Sequence, residues 1–277
     1  ESNDILWMRS SASGVVCGTE GGEWLVAASS ENVALTPTNI KATPVTAYQC
    51  ADVEPVRMGV SVAFVQKHKR KLHEYIADAL SGRFYGPNLA AKAKSLTKSG
   101  IAELAYQEEP APIVWMRRGD GNLVGTTYRR TSLYSSQPPE FNGWHRHTLG
   151  SDRKLESIST GALETEAGTI DTLSMVTNDT TDVRYVEFLR SPQDEDGVFE
   201  THWHVDCGVV PSTGRTVLGG TALRFFGLHA LAGKTVACVI GGLDCGDYTV
   251  TGDGYVDVPY GSAGGLFTYT YLANLSI

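Results

Sequence analysis

The feature that most constrains the fold of this chain is a repeated unit of two short strands joined by a polar turn. In each copy, β-branched and aromatic residues alternate with polar ones, the pattern of a strand with one buried face. Four copies begin at Val15, Val62, Ile113 and Leu173, so the steps between them are 47, 51 and 60 residues. The sequence therefore predicts an all-β protein.

The spacing of these units is close to that of propeller blades. Repeats of about 40–50 residues in an all-β sequence are typical of propellers, in which each blade is a four-stranded sheet. Further strand candidates at residues 143–147 and 155–159 bring the number to about four strands per unit. We expect propeller-like blades over residues 1–192, with the missing blades supplied by chain outside this segment. Because the spacing is loose and no Trp-Asp signature is present, an irregular assembly of β-sandwiches is the alternative.

A second domain and one short helix complete the predicted architecture. The charged, turn-rich stretch at residues 191–197 interrupts the strand pattern and predicts a domain boundary there. Residues 193–277 contain short strands joined by glycine turns, and we expect a small β-barrel or sandwich. The helix is predicted at residues 89–98, capped by Asn88 and ended by Gly100. Trp115 and Trp144 are expected to be buried core anchors.

The charge balance limits the kinds of partner. The chain has 23 Lys and Arg against 31 Asp and Glu, a formal charge of −8. Such a chain repels phosphate, which disfavours a tight nucleic-acid binder whose affinity comes from counterion release. A channel through which DNA slides is a different case, since weak contacts with an acidic wall would allow it.

Neither the cysteines nor the hydropathy indicate a special environment. Five cysteines without C-x-x-C spacing predict reduced, buried side chains in a protein made in a cytosol, and these are Cys17, Cys50, Cys207, Cys238 and Cys245. No apolar run approaches the roughly 18–20 residues of a membrane helix, so no membrane insertion of this segment is expected.

The candidate metal ligands are two pairs of histidines. His145 and His147 form one H-x-H motif, and His202 and His204 form the other. In a strand this spacing directs both imidazoles to one face, as metal sites built on strands require. No carboxylate or cysteine sits at a matching spacing, so we favour ordinary strand histidines without a metal. Since no nucleophile elbow, paired-carboxylate motif or phosphate-binding glycine loop is found either, we predict no enzyme activity and no cofactor.

The basic run at residues 67–71 is the candidate interaction site. Lys67, Lys69, Arg70 and Lys71 occupy a predicted hairpin turn, where they could contact DNA phosphate or an acidic neighbouring subunit. A solvated hairpin tip with no partner is the alternative.

The amino-acid sequence of several segments resembles the tail nozzle (tail tubular protein B) family of short-tailed bacteriophages. The best-marked segments are residues 35–75, LTPTNIKATPVTAYQCADVEPVRMGVSVAFVQKHKRKLHEY, and residues 102–130, AELAYQEEPAPIVWMRRGDGNLVGTTYRR. Residues 143–147, 183–187 and 227–236 are also similar, in the family's order. Cys50, where a small turn residue such as glycine is expected, and an apparent insertion at residues 132–141 depart from the pattern. Family members are longer, so we expect this chain to be a segment.

The resemblance implies a structural protein of the virion tail, assembled in the host cytoplasm. It implies a homohexameric ring at the far end of the tail, attached to the tail-tube ring on the adaptor side, with tail fibres as further candidate partners. The central channel would retain and then release genomic DNA. The resemblance implies no catalytic residue, and His145 and His147 would be strand residues rather than ligands. The rival function is a carbohydrate-binding or polysaccharide-hydrolysing propeller of a phage tailspike.

Overall fold

The described part of the chain is built almost entirely from β-strands. The computed structural model describes residues 3–30, 33–77, 84–130, 141–149, 153–165, 168–189, 208–209, 216–218, 222–240, 243–259 and 273–276. Over these ranges the strands form six antiparallel sheets, and no α-helix occurs. The all-β prediction is confirmed.

Four sheets follow one another along the chain, and in each the strands pair in sequence order. Sheet 1 contains β1 (Ile5–Ser11), β2 (Gly14–Thr19), β3 (Glu23–Ala28) and β4 (Ile40–Thr46). Sheet 2 contains β5 (Val56–Met58), β6 (Ser61–Val65), β7 (Leu72–Ala77) and β8 (Phe84–Tyr85). Sheet 3 contains β9 (Ile101–Gln107), β10 (Ile113–Arg118), β11 (Leu123–Arg129) and β12 (Phe141–His147). Sheet 4 contains β13 (Lys154–Thr165), β14 (Gly168–Asn178) and β15 (Arg184–Leu189).

The four predicted strand–turn–strand units are the second and third strands of these four sheets. Val15 lies in β2, Val62 in β6, Ile113 in β10 and Leu173 in β14. The strand candidates at residues 143–147 and 155–159 lie in β12 and β13. Each unit therefore belongs to a small antiparallel meander, four-stranded in sheets 1 to 3 and three-stranded in sheet 4, and the propeller arrangement stays a prediction.

Consecutive sheets pack face to face, and each junction has its own apolar core. Sheets 1 and 2 share a cluster formed by Trp7, Val16, Cys50, Val62, Phe64 and Tyr75. Sheets 2 and 3 share a larger one that includes Val56, Ala63, Val65, Leu72, Ile101, Leu104, Val114, Met116 and Val124. Sheets 3 and 4 share the cluster of Ala105, Trp115, Leu123, Leu155, Ile158, Leu173 and Met175. The four sheets thus form one continuous stack.

The two interior sheets are buried on both faces. All five residues of β6 are buried, with Val62 and Phe64 directed to sheet 1 and Ala63 and Val65 to sheet 3. This two-sided burial explains why β6 has a nearly continuous apolar sequence instead of a polar alternation. Complete burial of a side chain such as Phe64 contributes about 1.5–3 kcal/mol to the free energy of unfolding.

The two end sheets each expose apolar side chains on the face that lies away from the neighbouring sheet. In sheet 1 the strand register places Met8, Val15, Cys17, Trp24, Val26, Ile40, Ala42 and Pro44 on the face opposite its core. Met8 and Ile40 on this face are 60% and 56% exposed. On the outer face of sheet 4, Val186 is 68% and Phe188 56% exposed. The outer face of sheet 1 is thus mostly apolar, whereas on sheet 4 Val186 and Phe188 share the outer face with Ser174 and Arg184.

A buried ion pair joins sheets 2 and 3 inside this apolar environment. The guanidinium of Arg130 donates to both carboxylate oxygens of Glu74, from Nε at 2.9 Å and from the terminal nitrogen at 2.7 Å, and the hydroxyl of Tyr128 donates to the same carboxylate. Glu74 is fully buried, and burial raises the pKa of Tyr128. Removal of one partner of such a pair leaves an uncompensated buried charge, which costs about 3–5 kcal/mol.

The predicted helix at residues 89–98 is wrong in type and length. In this segment the structure has a 3₁₀ helix, Leu89–Lys92, followed by turns whose N–H groups also reach back only three residues. Asn88 caps it as predicted, by accepting the Ala90 N–H at 3.0 Å, and Gly100 has a positive φ of 84°. An isolated helix of ten residues is marginal, and here packing of Leu89 and neighbouring alanines into the sheet 2–3 core decides the backbone instead.

The described C-terminal residues form two further sheets around a separate core. One contains β16 (Gly208–Val209), β19 (Thr235–Ile240), β20 (Leu243–Thr249) and β22 (Ala273–Ser276), and the other contains β17 (Thr216–Leu218), β18 (Ala222–Phe225) and β21 (Val256–Pro259). Their shared core spans residues 223–258 and includes Phe225, Leu228, Val236 and Val258. The strands form two packed sheets and no closed barrel, so the sandwich alternative fits the described residues. The predicted boundary at residues 192–193 lies outside them.

The cysteines and tryptophans partly follow the sequence predictions. Cys17, Cys50, Cys238 and Cys245 are buried thiols, and burial raises the pKa of Cys238 to about 12. Cys207 lies outside the described residues. The indole of Trp115 is buried as predicted, with its N–H donating to Gln107 at 3.0 Å. Trp144 is only half-buried, because it lies at the rim of the sheet 2–3 core and donates to the Leu89 carbonyl.

Replacement of Trp115 by alanine is expected to lower the free energy of unfolding by about 3–5 kcal/mol, since it opens a cavity in the sheet 3–4 core. Urea denaturation followed by circular dichroism measures this loss. The matched control is Val186→Ala on the exposed face of sheet 4, expected to change stability by no more than about 0.5 kcal/mol. Equal losses in the two variants would contradict the placement of Trp115.

Candidate interface at the basic edge of the stack

The basic run forms the turn between β6 and β7, and hydrogen bonds fix its backbone. The Lys69 N–H donates to the Gln66 carbonyl at 2.7 Å, and the Lys67 N–H donates to the Gln49 carbonyl at 3.0 Å. Lys69 has a positive φ of 59°, which closes the turn tightly. All five side chains of residues 67–71 are exposed. The turn therefore presents Lys67, Lys69, Arg70 and Lys71 from a defined backbone.

Contacts with the segment before β9 bring another lysine to the same edge. The Ile101 N–H donates to the Lys69 carbonyl at 2.6 Å, and the Thr97 hydroxyl donates to the Arg70 carbonyl at 2.9 Å. Lys98 lies between these two contacts and is exposed. The edge thus includes a cation that is distant from the run in sequence.

The β10–β11 turn extends this edge to sheet 4. The Gly119 N–H donates to the Gly100 carbonyl and the Leu155 N–H donates to the Gly121 carbonyl, both at 2.9 Å. A Cβ atom on Gly121 would lie 2.8 Å from the Cβ of Lys154, and its φ is 80°, so this close approach requires glycine. Exposed Lys154 is thereby held at the same edge.

We call these six side chains the basic edge: Lys67, Lys69, Arg70, Lys71, Lys98 and Lys154. None of them forms an ion pair with a carboxylate of the described residues, whereas several arginines elsewhere do. The one acidic side chain in the adjoining β10–β11 turn, Asp120, is already bound by Arg118 at 2.6 Å. No direct ion pair within the described residues therefore occupies these six cations, although the β14–β15 turn with Asp179 and Asp182 lies at the same end of the stack, next to Lys154.

The sequence analysis identified four of the six residues and missed Lys98 and Lys154. Neither belongs to a basic run, so charge clustering along the sequence gives no signal for them. A topological argument would have found them, because each stands shortly before or at the start of a strand whose first residue lies at the same end of the stack. In a meander of antiparallel strands, alternate strands begin at the same end of the sheet, and this rule is the signal that the sequence offers.

The first predicted histidine pair is brought together, but as a hydrogen-bonded pair. The Nδ1 atom of His145 lies 2.6 Å from the Nε2 atom of His147, and both rings lie against Trp115. Gly125 on the neighbouring strand makes room, since a Cβ there would come within 2.1 Å of the His145 ring. These histidines therefore fill space between sheets 3 and 4.

This geometry does not fit a metal held by those two nitrogens. Two nitrogens that each lie about 2.0–2.1 Å from a tetrahedral zinc ion are about 3.3 Å apart. Within the described ranges, no group of three His, Cys, Asp or Glu side chains is arranged to hold a metal ion. His202 and His204 lie outside those ranges, so a site that joins the two pairs is not tested.

The part of the chain that is described also has no helix with the length and hydropathy of a membrane span.

Treatment with a chelator is expected to leave the melting temperature unchanged, because the nitrogens of the first pair are used in a hydrogen bond with each other. Differential scanning calorimetry with and without excess EDTA measures the effect. A second scan after addition of zinc provides the control. A drop of several degrees that zinc restores would contradict this reading of the histidines.

Comparison with known proteins does not assign the chain to a family. No protein-family model matches the sequence, and no curated protein matches it at a significant level. The resemblance to the tail nozzle family therefore stays a prediction that depends on the segments quoted for it. The sheets, exposed faces and charges of the chain itself are the remaining basis for a proposed function.

Proposed function

We propose that this chain is a structural component of a bacteriophage virion, part of the tail nozzle of a short-tailed phage. In this proposal six copies form a ring around the distal channel of the tail. The ring binds the tail-tube ring on the adaptor side, and tail fibres are further candidate partners. Genomic DNA is retained by the channel and then passes through it during ejection.

The observation that carries the proposal is the open-ended stack of sheets. Its two interior sheets are buried on both faces, while the outer face of sheet 1 is mostly apolar and that of sheet 4 exposes Val186 and Phe188. Contiguous exposed apolar surface of this type marks a site where a folded protein meets another surface. A stack of blade-like meanders that ends on such faces is suited to continue into further sheets, as a propeller-like part of a larger assembly does.

The segments that resemble the nozzle family include the most deeply buried part of the stack, and residues 35–75 also contain the exposed strand β4. Residues 35–75 supply β5 and β6 and most of β7, and residues 102–130 supply β10, β11 and nearly all of β9. These two segments pack against each other in the sheet 2–3 core. The resemblance thus concerns residues that determine the fold, which supports a shared architecture more than a shared surface feature would.

The buried and partly buried carboxylates are used to hold the stack together. Glu74 binds Arg130, and Glu23 accepts hydrogen bonds from Thr46, from the Tyr48 N–H at 3.2 Å and from Cys50. Glu103 of β9 accepts from Arg117 of the neighbouring strand and from the Ile158 N–H of sheet 4, at 3.0 and 3.1 Å. These carboxylates connect neighbouring strands and sheets through hydrogen bonds and ion pairs. Such a stabilising role is expected in a structural protein.

The charge of the chain is compatible with the passage of DNA. Each phosphate bound by Lys or Arg strengthens a protein–DNA complex and would add drag during ejection. A formal charge of −8 gives a ring that does not attract DNA strongly overall. We assign the basic turn at residues 67–71 to a contact with a neighbouring subunit or with the ring above, outside the channel wall.

The tailspike rival makes a different prediction about mass and activity. Native mass spectrometry of the purified protein is expected to show a hexamer, a particle six times the chain mass of 29.8 kDa. Incubation with capsular or lipopolysaccharide fractions is the matched control, in which no sugar release is expected. A trimer or a monomer that cleaves polysaccharide would contradict the nozzle and favour the tailspike.

A further inference from the structure

The six cations of the basic edge form no ion pair within the described residues, and they are gathered on one side of the stack. Arg117, Arg130 and Arg224 each bind a carboxylate on another strand. The six cations of the basic edge come from three separate parts of the chain, and backbone hydrogen bonds hold them at one side of the stack. An array positioned this firmly without internal neutralisation is suited to a partner of opposite charge.

The rest of the chain has a large charge of the opposite sign. Without the six cations of the edge, 17 Lys and Arg stand against 31 Asp and Glu, which is a formal charge of −14. A second copy of the chain therefore offers the edge an acidic surface. Complementary charge of this kind accelerates association and fixes the relative orientation of the partners.

One acidic group lies at the opposite edge of the same stack. Glu108 and Glu109 follow β9 and are exposed, and their N–H groups donate to the carboxylate of Asp171 at 2.9 and 3.1 Å. These hydrogen bonds hold three carboxyl-bearing residues of sheets 3 and 4 together. The stack thus has a basic edge and an acidic group at opposite ends of its strands.

We propose that the basic edge of one copy binds the acidic surface of a neighbouring copy that is centred on Glu108, Glu109 and Asp171. The contact joins opposite edges, so it is heterologous, the type of interface that generates rings when its rotation closes. This inference rests on the proposed ring and names the surfaces that form it.

The composition of the edge favours carboxylates over DNA phosphates. Five of its six cations are lysines, which act as hydrated point charges, whereas Arg provides the planar fork for bidentate binding of phosphate. Exposed lysine–carboxylate pairs are individually weak, about 0.2–1 kcal/mol each, and suit a contact at the rim of an interface. Their collective effect is sensitive to salt.

The test is a set of charge changes followed by sedimentation velocity from about 50 to about 500 mM NaCl, a range over which exposed charges become screened. Lys67→Glu with Lys71→Glu is expected to weaken self-association about tenfold at low salt, from two repelling pairs. Addition of Glu108→Lys and Glu109→Lys to the same chain is expected to restore it. The matched control, Lys41→Glu with Arg57→Glu, changes as much charge elsewhere and is expected to associate like the original protein.

Three outcomes overturn the inference. If the original protein forms a ring that neither pair of changes affects, the edge is not the contact although the proposed function survives. If the protein is monomeric at every concentration, both the contact and the proposed ring fail. If the Lys67 and Lys71 changes leave association intact but abolish binding of a 20-base-pair DNA duplex in a parallel anisotropy titration, the edge binds phosphate instead.

Discussion

Burial of apolar side chains between facing sheets is the interaction on which the rest of this structure depends. A small sheet of three or four strands depends for its stability on burial of an apolar face, so each sheet must cover at least one face. Sheets 2 and 3 cover both, and the residues of β6 and β10 supply alternate side chains to the two adjoining cores. The polar groups that enter these junctions, such as the Glu74–Arg130 pair, are bound by partners from a neighbouring strand or sheet.

The same interaction explains why the ends of the stack and its edges have different roles. The end faces expose apolar side chains, such as Met8 on sheet 1 and Phe188 on sheet 4, which offer a continuation of the packing. The edges consist of hairpin turns, where side chains are exposed to solvent. Glycine or a residue with positive φ, such as Lys69, closes such a turn. Charge is therefore concentrated at the edges. A ring component needs both properties, since apolar faces extend its sheets and charged edges orient its neighbours.

The sequence was informative where local pattern and burial agree. The alternation around Val15, Val62, Ile113 and Leu173 located four hairpins because a period of two is readable in any strand with a buried face. The sequence prediction failed at residues 89–98. There the Asn88 cap and Gly100 suggested the two ends of a helix, but packing against the sheet 2–3 core gave a 3₁₀ turn. For a related reason, the sequence identified only four of the six residues of the basic edge. Adjacent cations form a visible run, whereas Lys98 and Lys154 join them through contacts that span many residues.

Amide hydrogen exchange, measured by mass spectrometry on the intact protein, tests the central claim that the junctions between sheets hold the fold. Exchange depends on the free energy of local opening, which rises with the burial around each strand. We expect the slowest exchange in β6 and β10, whose sheets are covered on both sides, and faster exchange in β15 and β4 at the open ends. Exchange in β6 as fast as in β15 would contradict the stacked arrangement.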